Sequence, residues 1–371
     1  MIKFNDPKFK GKIPNINKLK YYSSKGPFTK KCEKWLINNI KCKDALLVNS
    51  CTSALEMCAL LLNIKSKDEI IMPSFTFVST ANAFVLRGGK PVFVDIDKKT
   101  CNLDPSKIEK AITKKTRAIV VVHYAGISCE MDSIIKIAKK YKLYIIEDAA
   151  QAIMSTYKGR PLGSIGDLAT LSFHETKNIH CGEGGALLIN NPKFIKRAKI
   201  IRDKGTNRDL FDQNIVKKYT WVDYGSSYGL SEINAMVLYS QLKIAKKITK
   251  KRIEFFNEYL KAFKKFKIPN QIEIPFIPKY CNYNGHIFYI LVKENKRDHL
   301  MKFLQKKKIS SVFHYVPLHS SKFGKLKTKK ISAMKNTNII SKNLLRLPMH
   351  LRLNKKDISI SCKVIVNFFS D

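Results

Sequence analysis

From residue 30 onward, the apolar positions of the chain switch between two periods. Cys32, Trp35, Leu36 and Ile40 recur at helical spacing, and short apolar runs then begin. The runs at 45–48, 69–72, 91–96, 117–123, 143–147, 168–173 and 185–189 read as buried strands. Helical patterns at 53–63, 105–112 and 131–140 lie between several of them. Asp104-Pro105 reads as an N-cap followed by proline at the first helical position. Apolar strands alternating with helices predict an α/β layered domain on a largely parallel sheet. Past residue 230 the pattern changes. Residues 231–266 read as one long or broken Lys-rich helical region, followed by strands at 287–292 and 310–315 and a helix at 296–307. The basic stretch 322–336 reads as an exposed loop or helix. The expected division is a large domain over 1–245 and a smaller α+β domain over 246–371, a fit for 371 residues.

Charge changes this picture only in part. The formal net charge is +40, which raises nucleic acid or an anionic surface as a partner. However, 59 of the 69 cations are Lys, whereas base readout favours the planar fork of Arg. The lysines are scattered in pairs such as Lys30-Lys31 and Lys139-Lys140, so a solvated, Lys-drifted surface is the plainer reading, and no nucleic-acid partner is expected. Nine cysteines without a Cys-x-x-Cys suit a reducing compartment and argue against a disulfide framework or a metal site. Met1–Lys12 is polar and lacks a signal-peptide core, and no apolar run reaches a membrane-spanning length. The expected location is cytoplasmic, with no membrane partner.

Candidate chemistry gathers at strand ends, where ligands of open α/β sheets sit. Asn49-Ser50-Cys51-Thr52-Ser53 follows one strand and opens a helix; it suits a phosphate, or is an ordinary helix cap. Glu147-Asp148-Ala149-Ala150-Gln151 ends another strand; a carboxylate there needs a partner such as a pyridinium nitrogen, or caps the next helix. Lys177 lies just past Ser172-Phe173 and before the pair Gly184-Gly185, which permits close backbone approach; such a lysine suits a Schiff base. Among 59 lysines, position alone says nothing, and the succession of three strand ends is what singles Lys177 out. Phe77 in Pro73-Ser74-Phe75-Thr76-Phe77 suits ring stacking, or is a core residue.

These segments resemble the DegT/DnrJ/EryC1/StrS family of sugar aminotransferases. The resemblance runs from Gly26-Pro27-Phe28-Thr29 to His314-Tyr315-Val316-Pro317-Leu318-His319. It implies the type I aspartate-aminotransferase fold, with a mostly parallel seven-stranded sheet in the large domain, and pyridoxal 5'-phosphate as cofactor. Ile71–Phe84, Ser172–Asn178, Lys204-Gly205-Thr206-Asn207-Arg208, Lys218–Asp223 and Gly225–Tyr228 look most like the members that make dTDP-4-amino-4,6-dideoxy-D-galactose for enterobacterial common antigen. The implied substrates are L-glutamate and dTDP-4-dehydro-6-deoxy-D-glucose. Carried over by residue, Lys177 is the Schiff-base and proton-moving lysine, Asp148 pairs with the pyridinium nitrogen, and Gln151 lies near the phenolic oxygen. Phe77 stacks on the ring, and Thr52, Ser53 and Ser172 hold the phosphate. Lys204, Arg208, His314, Tyr315 and His319 are candidates for substrate. A homodimer with a shared site is implied. The chain departs from the family pattern at Gly229, where many members carry Asn or Arg, and at Cys51, where many have Gly. The rival readings are amination at C3 or of a UDP-linked sugar and, outside the class, a basic nucleic-acid binder or a cofactor-sensing protein.

Overall fold

The computed structural model describes residues 1–9, 11–330 and 333–370. The first long helix, Pro27–Ile40, starts with proline at its first turn and ends where Lys41 takes a left-handed conformation. The strands that follow are β1 (Asp44–Val48), β2 (Glu69–Pro73), β3 (Lys90–Val94), β4 (Thr116–Val122) and β5 (Tyr144–Asp148). A small hairpin follows, β6 (Thr156–Tyr157) and β7 (Arg160–Pro161), then β8 (Leu168–Ser172) and β9 (Gly185–Ile189). Later come β10 (Ile272–Glu273), β11 (Cys281–Asn282), β12 (Tyr289–Val292), β13 (Val312–Phe313), β14 (Lys329–Lys330) and β15 (Leu344–Arg346).

All seven strands expected between residues 45 and 189 form, and they share one sheet in the order β1-β9-β8-β5-β4-β2-β3-β14. β9 alone runs against its neighbours. The runs are continuously apolar because both faces are covered: in β4, Ile119 and Val121 enter one core cluster while Ala118 and Val120 enter the other. The sheet has eight strands, not seven, since β14 adds in parallel to β3. Residues 331 and 332 of the basic stretch lie outside the described residues. The expected helix at 105–112 is instead two 3₁₀ turns, Pro105–Lys107 and Glu109–Ala111, with Asp104 capping the first as expected. Only Ile108 and Ala111 are buried there, and three residues per turn sets both on one face.

The Lys-rich region 231–266 is two helices, Glu232–Leu242 and Ala245–Lys265. A four-stranded antiparallel sheet, β10-β12-β15-β13, packs with the second of these and with Lys355–Asn367 around Phe256, Tyr259 and Phe288. The expected strand at 310–315 is only β13, because His314 and Tyr315 turn toward the first sheet. The start of the chain returns to this region: Ile2 bridges to Ile309. No described helix is long and apolar enough to cross a membrane.

Candidate active site

A cavity of about 540 Å³ opens at the carboxyl ends of the parallel strands. Cys51 and Thr52 after β1, Thr76 and Phe77 after β2, Asp148 and Gln151 from β5, and Ser172 and Lys177 from β8 all line it. The chain beyond residue 246 contributes Arg252, His286, His314, Tyr315, Arg346 and Met349, and the N-terminal segment contributes Phe4 and Asn5.

Two adjacent carboxylates at the end of β5 do different work. Glu147 accepts from the backbone N–H groups of Gly163, Ile165 and Gly166 and bonds His123, so it clips a turn in place. Asp148 faces the cavity and accepts from Thr80 Oγ1 at 2.7 Å and from the Ala150 N–H at 3.2 Å. Burial raises its pKa against the opposing pull of those two bonds and of Lys177. Thr80 Oγ1 is itself linked to Thr76 Oγ1 at 2.8 Å, so a buried chain of hydroxyls ends on the carboxylate. Thr80→Val is expected to raise the Asp148 pKa still further, and NMR titration of the Asp148 carboxyl carbon in the apo-protein checks this. An unchanged value would show that Thr80 does not act on the carboxylate.

Lys177 is partly buried, and among the described residues its Nζ makes no hydrogen bond or ion pair. Burial lowers its pKa, and the Arg346 charge adds to this, while Cys51 and Asp148 oppose it. Opposite lies the N-terminus of the helix Cys51–Leu61. Ser50 caps it by accepting from the Ser53 N–H at 3.0 Å, and among the described residues the N–H groups of Cys51 and Thr52 have no backbone partner. Thr52 Oγ1 bonds Ser79 Oγ at 2.8 Å. Gly185 makes this arrangement possible, since a Cβ there would collide with the backbone of Ser50 and Cys51. The departure at Gly229 also has a local cause: a Cβ would lie 2.6 Å from Ser24 Cβ.

Phe77 is 59% exposed, so it is not a core residue but an open apolar face at the cavity. Gln151 accepts from the Ala125 N–H and donates to Tyr315 Oη at 3.0 Å. Tyr315 stacks on His314, with centroids 3.9 Å apart, and burial pushes its hydroxyl up to about 12. Arg346 donates to His314 Nε2 at 2.6 Å, and the other ring nitrogen bonds Tyr124 Oη. Burial, with Arg346 and Lys177 nearby, drives the His314 pKa down to about 2, so the ring is neutral.

Four expected site residues fall elsewhere. Ser53 is buried behind the cavity wall, its hydroxyl donating to Asn49. His319 does not line the cavity; its ring nitrogens bond Ser74 Oγ and Asn338, pinning the turn at 318–320 to the end of β2. Lys204 and Arg208 are exposed and pair with Asp203 and Asp212. Thr80, Arg252 and Arg346 are among the cavity residues that sequence reasoning passed over. Arg346 carried a signal, as the single charge in Leu344-Leu345-Arg346-Leu347. Arg252 was hidden among lysines; it donates to the carbonyls of Gly285, His286 and Met349.

The DegT/DnrJ/EryC1/StrS aminotransferase family model matches residues 5–365. An uncharacterized protein of Methanocaldococcus jannaschii is 37% identical over 341 residues, covering 90% of this chain and 88% of that protein. The spore coat polysaccharide biosynthesis protein SpsC of Bacillus subtilis is 33% identical over 348 residues, covering 90% of this chain and 88% of that protein. The crystal structure of S. venezuelae DesV, in complex with a ketimine intermediate, superposes with a TM-score of 0.87 at 28% identity, covering 96% of this chain and 92% of that one.

Proposed function

The chain belongs to the DegT/DnrJ/EryC1/StrS aminotransferase family, and from that premise we propose that it moves the amino group of L-glutamate onto dTDP-4-dehydro-6-deoxy-D-glucose. Pyridoxal phosphate is the family's cofactor, and the type I fold is the fold found. The cavity suits that cofactor because the protein leaves three features incomplete. Among the described residues, Lys177 Nζ makes no hydrogen bond or ion pair, the N–H groups of Cys51 and Thr52 at a helix N-terminus have no backbone partner, and Asp148 is a buried carboxylate with no ion pair. An aldehyde, a phosphate and a pyridinium nitrogen complete them in turn. This matched set of three carries the proposal.

When bound, pyridoxal phosphate serves as an electron sink for the carbon that loses its proton. Lys177 takes the proton from the donor carbon and later delivers one to the sugar carbon; its lowered pKa keeps more of the amine uncharged near neutrality. Asp148 would hold the ring nitrogen, Thr52 and Ser172 would hold the phosphate, and Gln151, held between Ala125 and Tyr315, and the exposed Phe77 would hold the ring. The choice of dTDP and of C4 rests on the segments Ile71–Phe84 and Ser172–Asn178, and a place in surface polysaccharide synthesis is consistent with the name of SpsC. We also propose a homodimer, in which a second copy covers the exposed Tyr219, Trp221 and Tyr224.

The test is the visible spectrum of the protein with pyridoxal phosphate. An absorption band is expected to form, bleach with L-glutamate and return with dTDP-4-dehydro-6-deoxy-D-glucose. If only another keto-sugar restores it, the substrate assignment falls and transamination stands. If no band forms, the assignment of Lys177 falls.

A further inference from the structure

His286 lines the cavity, is 5% exposed, and is held at three points. Its backbone N–H donates to Asn284 Oδ1 at 3.0 Å, and Asn284 is itself fixed by donating to the carbonyls of Gln151 and Ile153. Its carbonyl accepts from Arg252 at 2.8 Å. Its ring Nδ1 lies 2.8 Å from Asn178 Oδ1, while the Asn178 amide nitrogen donates to the Asn284 carbonyl at 3.0 Å. Because that nitrogen is engaged by a carbonyl, the amide oxygen is the atom that faces the ring, and an oxygen there requires a proton on Nδ1. In the neutral ring, Nε2 then carries a lone pair. Burial holds the His286 pKa well below the ordinary histidine value, and Lys177, Arg252, Arg346 and His314 add to this, so the ring is neutral. Among the described residues Nε2 has no hydrogen-bond partner and is not sealed off by protein, which leaves a fixed acceptor open at the cavity.

Building on the transaminase reading, we propose that His286 Nε2 accepts a hydrogen bond from the keto-sugar, from the hydroxyl on the carbon next to the ketone. A bare Nε2 needs a donor, and the cationic side chains around it disfavour an ammonium group. A neutral O–H suits it. Of the two substrates only the sugar brings one, since L-glutamate at neutral pH carries an ammonium and two carboxylates. The place follows from the chain. Asn178 directly follows Lys177, so the side chain that orients the ring is tied to the residue that moves the proton. The hydroxyl on the carbon beside the reacting one is the nearest donor that the sugar has. A preset acceptor left unpaired disfavours a sugar without that hydroxyl, so His286 selects in the sugar half of the reaction and not in the amino-donor half.

The experiment uses the holoenzyme in three arms. In the first, nitrogen NMR of histidine-labelled protein reads the ring directly. Nδ1 is expected to be protonated and Nε2 bare, and a proton on Nε2 overturns the proposal. In the second, the bleached wild-type enzyme is given dTDP-4-dehydro-6-deoxy-D-glucose, or the keto-sugar that restores the band in its place, and then the analogue lacking the hydroxyl next to the ketone. At low concentration the analogue is expected to restore the band roughly 5- to 150-fold more slowly, the range for a buried partner left unsatisfied. Equal rates overturn the proposal. The third arm is His286→Phe, which keeps the bulk of the ring and offers no acceptor. It should lose a similar factor with the parent sugar, respond to the parent and the analogue alike, and lose far less in bleaching by L-glutamate. Equal losses in both halves overturn the proposal by making the ring a spacer. A matching loss of dTDP affinity overturns it too, by placing a nucleobase N–H on Nε2. If His286→Phe fails to take up cofactor, the first two arms decide. A wild-type enzyme that bleaches with L-glutamate yet ignores the missing hydroxyl refutes this role alone. A wild-type enzyme that never bleaches refutes the transaminase reading beneath it.

Discussion

Lys177→Ala is expected to lower turnover by roughly 10⁴-fold or more, because one side chain both anchors the cofactor and moves the proton. The variant should fold. Lys177 lies on the loop after β8, and among the described residues its Nζ holds no other group, so its loss leaves no buried partner stranded. The thermal midpoint of the apo-protein should therefore change little. The proton-moving role can be separated from the anchoring role by adding a small primary amine such as ethylamine. Rescue in proportion to the uncharged fraction of the added amine would identify the missing group as a base. In the wild type, burial holds the Lys177 pKa below the ordinary lysine range, so the acid limb of the pH profile should lie below that range as well. Residual turnover within about tenfold of wild type would remove Lys177 from the chemistry.

The strand ends that define the cavity were legible in the sequence for a physical reason. A sheet covered on both faces writes each strand as an unbroken apolar run, so the first polar residues after it mark the ligand side, as at Asn49, Asp148 and Ser172. The eighth strand was not legible, since Lys329-Lys330 carries no apolar signal, yet it pairs in parallel with β3. The bond from Thr80 to Asp148 spans 68 residues of chain and exists only once β2 and β5 share a sheet. His319 shows the opposite failure. It follows a proline near other aromatic residues and reads as a site residue, yet the fold engages both of its ring nitrogens in holding a turn. Short polar motifs outside strand ends thus divide into functional and structural only through tertiary contacts. Arg346 could have been found, because a lone charge in an apolar strand requires a partner wherever it lies.

Asp148→Asn should separate the stability of this site from its use. Its carboxyl pKa is raised by burial, so folding of the apo-protein disfavours the ionised form relative to the unfolded chain. For an acid with a raised folded pKa, the stabilising contribution is complete below the unfolded pKa and is lost as pH rises through the folded one. At neutral pH the ionised Asp148 therefore costs the apo-protein stability. Asn keeps the shape and can still accept from Thr80 and Ala150 without the charge. The apo form of Asp148→Asn is accordingly expected to melt no lower than wild type at pH 7, and the advantage of the variant should shrink as pH falls. Added pyridoxal phosphate should reverse the order, because a pyridinium nitrogen pays the charge back only where a carboxylate faces it, and ligand binding to the folded form raises the midpoint in proportion to affinity. Turnover of the variant should drop roughly 10²- to 10³-fold, the scale of losing one preorganised electrostatic partner of the transition state. A variant whose apo form is clearly less stable than wild type, and whose midpoint responds to the cofactor as wild type does, would make Asp148 a structural carboxylate like its neighbour Glu147. The expected result instead has the chain holding an unfavourable charge in its core that only the bound cofactor relieves.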